Sequence, residues 1–114
     1  VPFEKLANMA RGEPSEAVRD RVARARALQA ARFAASPTQV NGEMSPPEVR
    51  DYAQKQLADG AASVLKLAVD RLNLSARAFH RLLKVARTIA DLDGSESIET
   101  AHMGESIQYR ARME

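Results

Sequence analysis

Asn73-Leu74-Ser75-Ala76-Arg77-Ala78-Phe79-His80-Arg81-Leu82-Leu83-Lys84-Val85-Ala86-Arg87-Thr88-Ile89-Ala90-Asp91-Leu92 is the stretch whose reading decides the fold. At about 100° per residue, Phe79, Leu82, Leu83, Ala86, Ile89 and Ala90 gather within roughly a third of the helical circle, the width of a core-facing stripe. Arg77, Arg81, Lys84 and Thr88 take the opposite face. Ser75 is a natural N-cap, because its hydroxyl can accept from an orphan backbone N–H. Gly94 suits the C-terminal stop. The spacing therefore predicts a helix from about Ala76 to Leu92, with Leu82, Leu83 and Ile89 buried.

Charge on this helix runs against the dipole. Arg77 falls in the first turn, where the partial positive charge disfavours a cation. Arg81 and Lys84 follow as like-charged neighbours, each at a small cost. Free N–H groups beside a guanidinium do make a good phosphate site. Spacing by itself favours an ordinary solvated basic face, since arginine is common on helix surfaces.

Outward from this stretch, 114 residues are enough for one domain with a real core. Apolar residues make up 45% but aromatics only 4%, so alanine and leucine must fill the interior, as in closely packed helices. There is no cysteine, hence no disulfide or thiolate metal site, which fits a reducing cytoplasm. No apolar run approaches the roughly 20 residues of a membrane span. A net charge of +2 does not demand a nucleic-acid partner, although Arg11, Arg19, Arg21, Arg24, Arg26 and Arg32 crowd the first third. The chain begins at Val1, which predicts a C-terminal piece excised from a longer protein.

In chain order, residues 1–12 read as a tail, extended or disordered. Glu13-Pro14-Ser15-Glu16 opens a helix to about Phe33 or Ala34, with Val18, Val22, Ala25, Gln29 and Phe33 on one face and Leu28 on its shoulder. Ser36 to Met44 reads as a loop broken by Pro37, Asn41 and Gly42. Ser45-Pro46-Pro47-Glu48 is a capping box that starts a short helix. Asp59-Gly60 starts another, with Ala61, Val64, Leu65, Ala68, Val69 and Leu72 as its apolar stripe. A last helix, about Glu99 to Arg112, is expected to turn Ala101, Met103, Ile107 and Tyr109 inward. The sum is an all-α, compact bundle of four main helices plus one short one over residues 13–114. The helices of Asp59–Leu72 and Ala76–Leu92 are expected to pack as an antiparallel pair.

Catalytic patterns are missing from the chain. It has neither G-x-x-x-x-G-K-[ST] nor G-x-G-x-x-G, so it lacks the cradle for a nucleotide triphosphate. His80 and His102 have no metal-ligand spacing around them, so no metal site is expected.

Three segments carry a resemblance. Leu74-Ser75-Ala76-Arg77-Ala78 with Leu83-Lys84-Val85-Ala86-Arg87-Thr88-Ile89-Ala90-Asp91-Leu92 resembles the C-terminal lid of the magnesium-chelatase-like AAA+ ATPases, of the ComM (YifB) competence type. Val1-Pro2-Phe3-Glu4-Lys5-Leu6, Gly12-Glu13-Pro14-Ser15 and the arginines to Gln29 resemble the segment that leaves the ATPase core. Ile98, His102, Glu105 and Tyr109-Arg110 resemble the closing helix. The resemblance implies that Arg77 matches the sensor-2 arginine that reaches the γ-phosphate, the one catalytic candidate, with Ser75, Arg81 and Lys84 as candidate phosphate support. It also implies ATP and Mg in the full-length protein, with none for this chain by itself. The implied partners are its own AAA+ core, neighbouring subunits of a ring, and DNA remodelled by branch migration in natural transformation. The implied location is cytoplasmic, without membrane attachment, and the isolated chain is expected to be a monomer and no enzyme. Other readings stay open: a stand-alone helical DNA-binding or interaction module, or the lid of a magnesium chelatase ATPase subunit.

Overall fold

The computed structural model describes residues 15–113. The tail expected over residues 1–12 lies outside the described residues, as do Glu13 and Pro14 of the first helix start. Five helices follow in order: α1 (Ser15–Arg32), α2 (Pro46–Tyr52), α3 (Asp59–Leu72), α4 (Ala76–Leu92) and α5 (Thr100–Met113). Short 3-10 turns at Asn41–Glu43 and Gln54–Gln56 flank α2. The architecture is the expected all-α bundle of four long helices and one short one, compact and without a sheet among the described residues.

Helix boundaries follow local chemistry. The Ser45 side chain accepts from the Glu48 N–H while the Glu48 carboxylate accepts from the Ser45 N–H at 3.0 Å, a complete capping box with Pro46 in the first turn. Ser36 and Thr38 also donate to Glu48, at 2.9 and 2.7 Å, which ties the preceding loop to the same cap. At the end of α3, Asn73 takes the left-handed conformation with φ 50° and ends the helix, three residues before α4 begins. Gly94, at φ 69°, takes the left-handed conformation after α4. The start of α5 is capped by a histidine: the Glu99 N–H donates to His102 Nδ1 at 2.9 Å, and His102 Nε2 lies 2.9 Å from Asp93 Oδ2.

The core is aliphatic and small-residue rich. Met44, Val49, Ala53, Ala61, Leu65, Leu82, Leu83, Ala86, Ala90, Ile98 and Met103 form one cluster with Phe33. Its aromatic edge is a T-shaped pair, Phe33 against Tyr52, with centroids 5.7 Å apart. A single parallel bridge, Leu57 to Ile98, holds the segments before α3 and α5 together. Ile98 N–H donates to Gln56 O at 2.8 Å and Ala58 N–H to Ile98 O at 3.0 Å, so the two helices start side by side. A Cβ on Gly60 would meet Thr100 Oγ1, so a larger residue there would need the Thr100 side chain to turn away.

Several expectations shift. The close antiparallel pair of α3 and α4 is replaced by a three-body arrangement, because α5 lies against both of them. Leu65, Leu82 and Leu83 are buried as expected, whereas Ile89 is only half-buried. The buried arc of α4 runs through Leu82, Ala86, Ala90, Leu83, Arg87 and Asp91, about half the helix circumference, and Ile89 falls on its margin. Leu72 has the right angle on α3 but sits in its last turn and is 49% exposed. Leu28 is also exposed. On α5 the buried residues are His102, Met103 and Ser106. Ala101 faces solvent, because it lies about 160° around the helix from Met103.

Candidate functional site

The N-terminal end of α4 is built from the αL turn at Asn73 and the cap at Ser75. Ser75 Oγ accepts from the Ala78 N–H at 3.1 Å, and the Phe79 N–H donates to Ser75 O at 2.9 Å. Leu74 and Phe79 both pack on the core cluster, which fixes the helix start against the bundle. The N–H groups of Ala76 and Arg77 have no acceptor among the described residues. Arg77 is exposed, and so is Arg81, one turn along the same face. Neither guanidinium has a hydrogen bond or ion pair among the described residues.

The four candidate residues therefore divide. Ser75 and Arg77 share the helix start, and Arg81 continues that face into a small groove. The groove, about 170 Å³, lies between α4 and α5 and is lined by Ala78, Arg81, Leu82, Val85, Ser106, Tyr109 and Arg110. Lys84 is directed elsewhere: its Nζ donates to Gly42 O at 3.2 Å and so holds the 3-10 turn at Asn41–Glu43. His80 lies beside the Phe79 ring, with centroids 5.8 Å apart.

The other end of α4 holds a polar cluster that sequence reasoning missed. Asp91, with its side chain 0% exposed, accepts four hydrogen bonds. Arg32 donates through Nη1 to Oδ2 and Nη2 to Oδ1, both at 2.8 Å, a bidentate fork from the end of α1. Asn41 Nδ2 donates to Oδ2 at 2.8 Å, and Arg87 Nε to Oδ1 at 3.2 Å. Arg87 also donates to the backbone carbonyls of Tyr52, Ser95 and Glu96. Asn41 also donates to Thr88 Oγ1, accepts from Arg32 Nη1, and donates its backbone N–H to Gln29 Oε1. No buried side-chain polar atom among the described residues is left without a partner.

Burial pushes the Arg87 guanidinium below its ordinary pKa, and neighbouring Asp91 opposes that shift. The cluster joins α1, the Asn41 turn, the end of α2, α4 and the loop after α4 at one point. One sequence signal pointed to it: Arg87 and Asp91 form an opposite-charge i,i+4 pair on the flank of the apolar stripe. Asn41, expected as a loop breaker, is 1% exposed and works as a two-way linker instead.

Chemically, the two ends differ. The cluster turns its buried polar atoms on one another, whereas the start of α4 offers N–H groups and guanidinium forks to an anion. Among the described residues no three metal-ligating side chains converge. No helix among them is long and apolar enough to cross a membrane.

Comparison with known proteins agrees over nearly the whole chain. Residues 12–110 match the family described as magnesium chelatase, ChlI subunit, C-terminal. The chain is similar to the competence protein ComM of Haemophilus influenzae, 41% identical over 102 residues, which is 89% of this chain and 19% of that protein. It is equally similar to the uncharacterised protein YifB of Escherichia coli K12, 41% identical over 100 residues, 88% of this chain and 19% of YifB. An uncharacterised Mycobacterium tuberculosis protein is 35% identical over 99 residues, which is 87% of this chain and 19% of the relative. The chain thus spans about a fifth of the length of these curated relatives. No solved structure matches it.

Proposed function

The chain belongs to the family of the magnesium chelatase ChlI C-terminal domain, as the C-terminal domain of a ComM-type magnesium-chelatase-like protein, and from that premise we propose that it is the lid of an AAA+ ATPase whose Arg77 senses the nucleotide. The observation that carries this reading is the position of Arg77: exposed, unpartnered among the described residues, and in the first turn of a Ser75-capped helix.

A guanidinium there binds phosphate oxygens through paired N–H donors. Its interaction strengthens as negative charge develops on the transferring phosphoryl group, which is the condition for catalysis rather than mere binding. The free N–H groups at the start of α4 favour the same anion through the helix dipole. Arg81, one turn along, adds positive potential and suits either the nucleotide or a neighbouring protomer. Lys84 keeps its tie to Gly42 and contributes through that turn. The nucleotide cradle and the Mg²⁺ ligands belong to the ATPase core, which supplies the charge-neutralising chemistry; this chain's share is Arg77 and the helix that aims it.

In the whole protein, the reading extends to a cytoplasmic ring of ATPase protomers that remodels DNA, by branch migration, during natural transformation. It rests there on similarity to a relative named as a competence protein. The test is Arg77→Ala in the full-length protein. ATP turnover is expected to fall by about a hundredfold to a thousandfold, the usual loss for one transition-state donor, with folding unchanged. Normal turnover would leave Arg77 a surface arginine and remove the sensor assignment.

A further inference from the structure

We propose that Arg32 and Asp91 are positioning residues for Arg77: their bidentate pair is the pin that sets the tilt of α4, and with it the place of the guanidinium at the far end. The inference rests on the sensor reading above and adds to it the residues through which the lid's own frame acts on the sensor.

Arg77 and Asp91 lie on one continuous helix. Fourteen residues at 1.5 Å separate them by about 21 Å, so a tilt of about 3° at one end moves the other by about 1 Å. A displacement of that size costs catalysis about a hundredfold when a group must meet a reacting phosphate. What holds the C-terminal end is thus as consequential for Arg77 as what surrounds its own turn.

Ridge-into-groove packing by itself admits crossing angles that scatter by about 15–20°. The Arg32–Asp91 fork does not slide. Both guanidinium N–H groups meet both carboxylate oxygens at 2.8 Å, and the pair is almost wholly withdrawn from water, at 13% and 0% side-chain exposure. The fork is also held from behind. Arg32 lies 5.9 and 6.0 Å from the Phe33 and Tyr52 ring centroids. Asn41 bridges Arg32 and Asp91, receiving a bond from one and donating to the other at 2.8 Å each.

The direction of coupling follows from connectivity. Arg32 ends α1, the helix by which the chain joins the ATPase core in the reading above. Most of α1 is exposed: of its 18 residues only Ala25 and Gln29 are fully buried. Its bidentate link to α4 is at Arg32. Buried ion pairs add little net stability over a hydrophobic replacement, and their best-attested use is to fix one geometry among several. A pin between the incoming helix and the sensor helix is such a use.

The experiment is a double-mutant cycle in the full-length ATPase, pairing Arg77→Ala with Arg32→Gln and reading kcat and KM for ATP. Folding is checked by circular dichroism melting of the same proteins. Arg32→Gln is expected to lower kcat roughly ten- to a hundredfold while KM stays within about twofold, because the phosphate cradle is elsewhere. In the Arg77→Ala background the same change is expected to cost less than about twofold more, since the residue acts through Arg77. Arg32→Lys, which keeps the charge but loses the fork, should recover part of kcat, and it carries the cycle if the glutamine variant does not fold. Additive losses, a rise in KM matching the fall in kcat, or wild-type turnover in the Arg32 variants would overturn the proposal. Normal turnover of Arg77→Ala by itself would instead identify the sensor reading as the part that fails.

Discussion

At the C-terminal end of α4, Arg87 is 2% exposed and directs its donors at Asp91 and three backbone carbonyls, while at the N-terminal end Arg77 stands in solvent beside two free N–H groups. Both are arginines on one helix, and each could have been read as functional. Saturation separates them. A guanidinium whose N–H groups are matched inside the fold can only hold the fold, and one without acceptors is available to a ligand. The lesson concerns searching for sites: the arginine in the more elaborate network is the less available one.

The contrast makes its largest demand at Asp91. Asp91→Ala strands Arg32 and Arg87 in the interior without their counter-charge, and breaking a buried pair from one side costs about 3–5 kcal/mol. Urea denaturation of this chain measures it, and a loss under about 1 kcal/mol would mean that the cluster is not what holds this end. Leu83→Ala, between the two ends and 0% exposed, tests the aliphatic part of the same helix. Its expected cost is about 2–5 kcal/mol, and a much smaller value would place Leu83 at the bundle edge.

A third test moves the comparison from guanidinium to carboxylate. Glu48 is another saturated charge, held down from 4.5 to about 2 by the Ser45 N–H first and then by Thr38 and Ser36. Because its folded pKa is depressed, the stabilisation is present above pH 4.5 and is lost as pH falls from 4.5 toward 2. Thermal melts of the wild-type chain and Glu48→Gln should differ near neutral pH and converge across that window. Parallel curves throughout would show that the cap N–H and hydroxyl donors hold Glu48 irrespective of its charge.

The smallest expected effect is the most diagnostic. Arg77→Ala should change the stability of this chain by no more than about 0.5 kcal/mol, as exposed substitutions do, although the same change cuts turnover in the full-length protein. A melt lowered well beyond that would erase the difference between the two ends and make Arg77 a structural residue.

What the amino-acid order determined by itself is local. The Ser45–Glu48 and Ser75 caps, the glycine stop after α4 and the periodicity of Leu65, Leu82 and Leu83 act within a turn or two of chain, so the helices and most of the core were legible without coordinates. The exposed Ser75–Arg77–Arg81 face was legible for the same reason. Only the tertiary structure decided which other charges leave water. Arg32 and Asp91 are 59 residues apart and Asn41 meets Asp91 from 50 residues away. Each is polar enough to belong on a surface, and their burial depends on an opposing surface that no local pattern describes. The same holds for Ala101, which faces solvent, and for α5, which lies between α3 and α4 and displaces their expected pairing. Periodicity states that a helix has an inside face; the partner that covers it, and therefore the width and centre of that face, is set by packing among elements far apart in the chain.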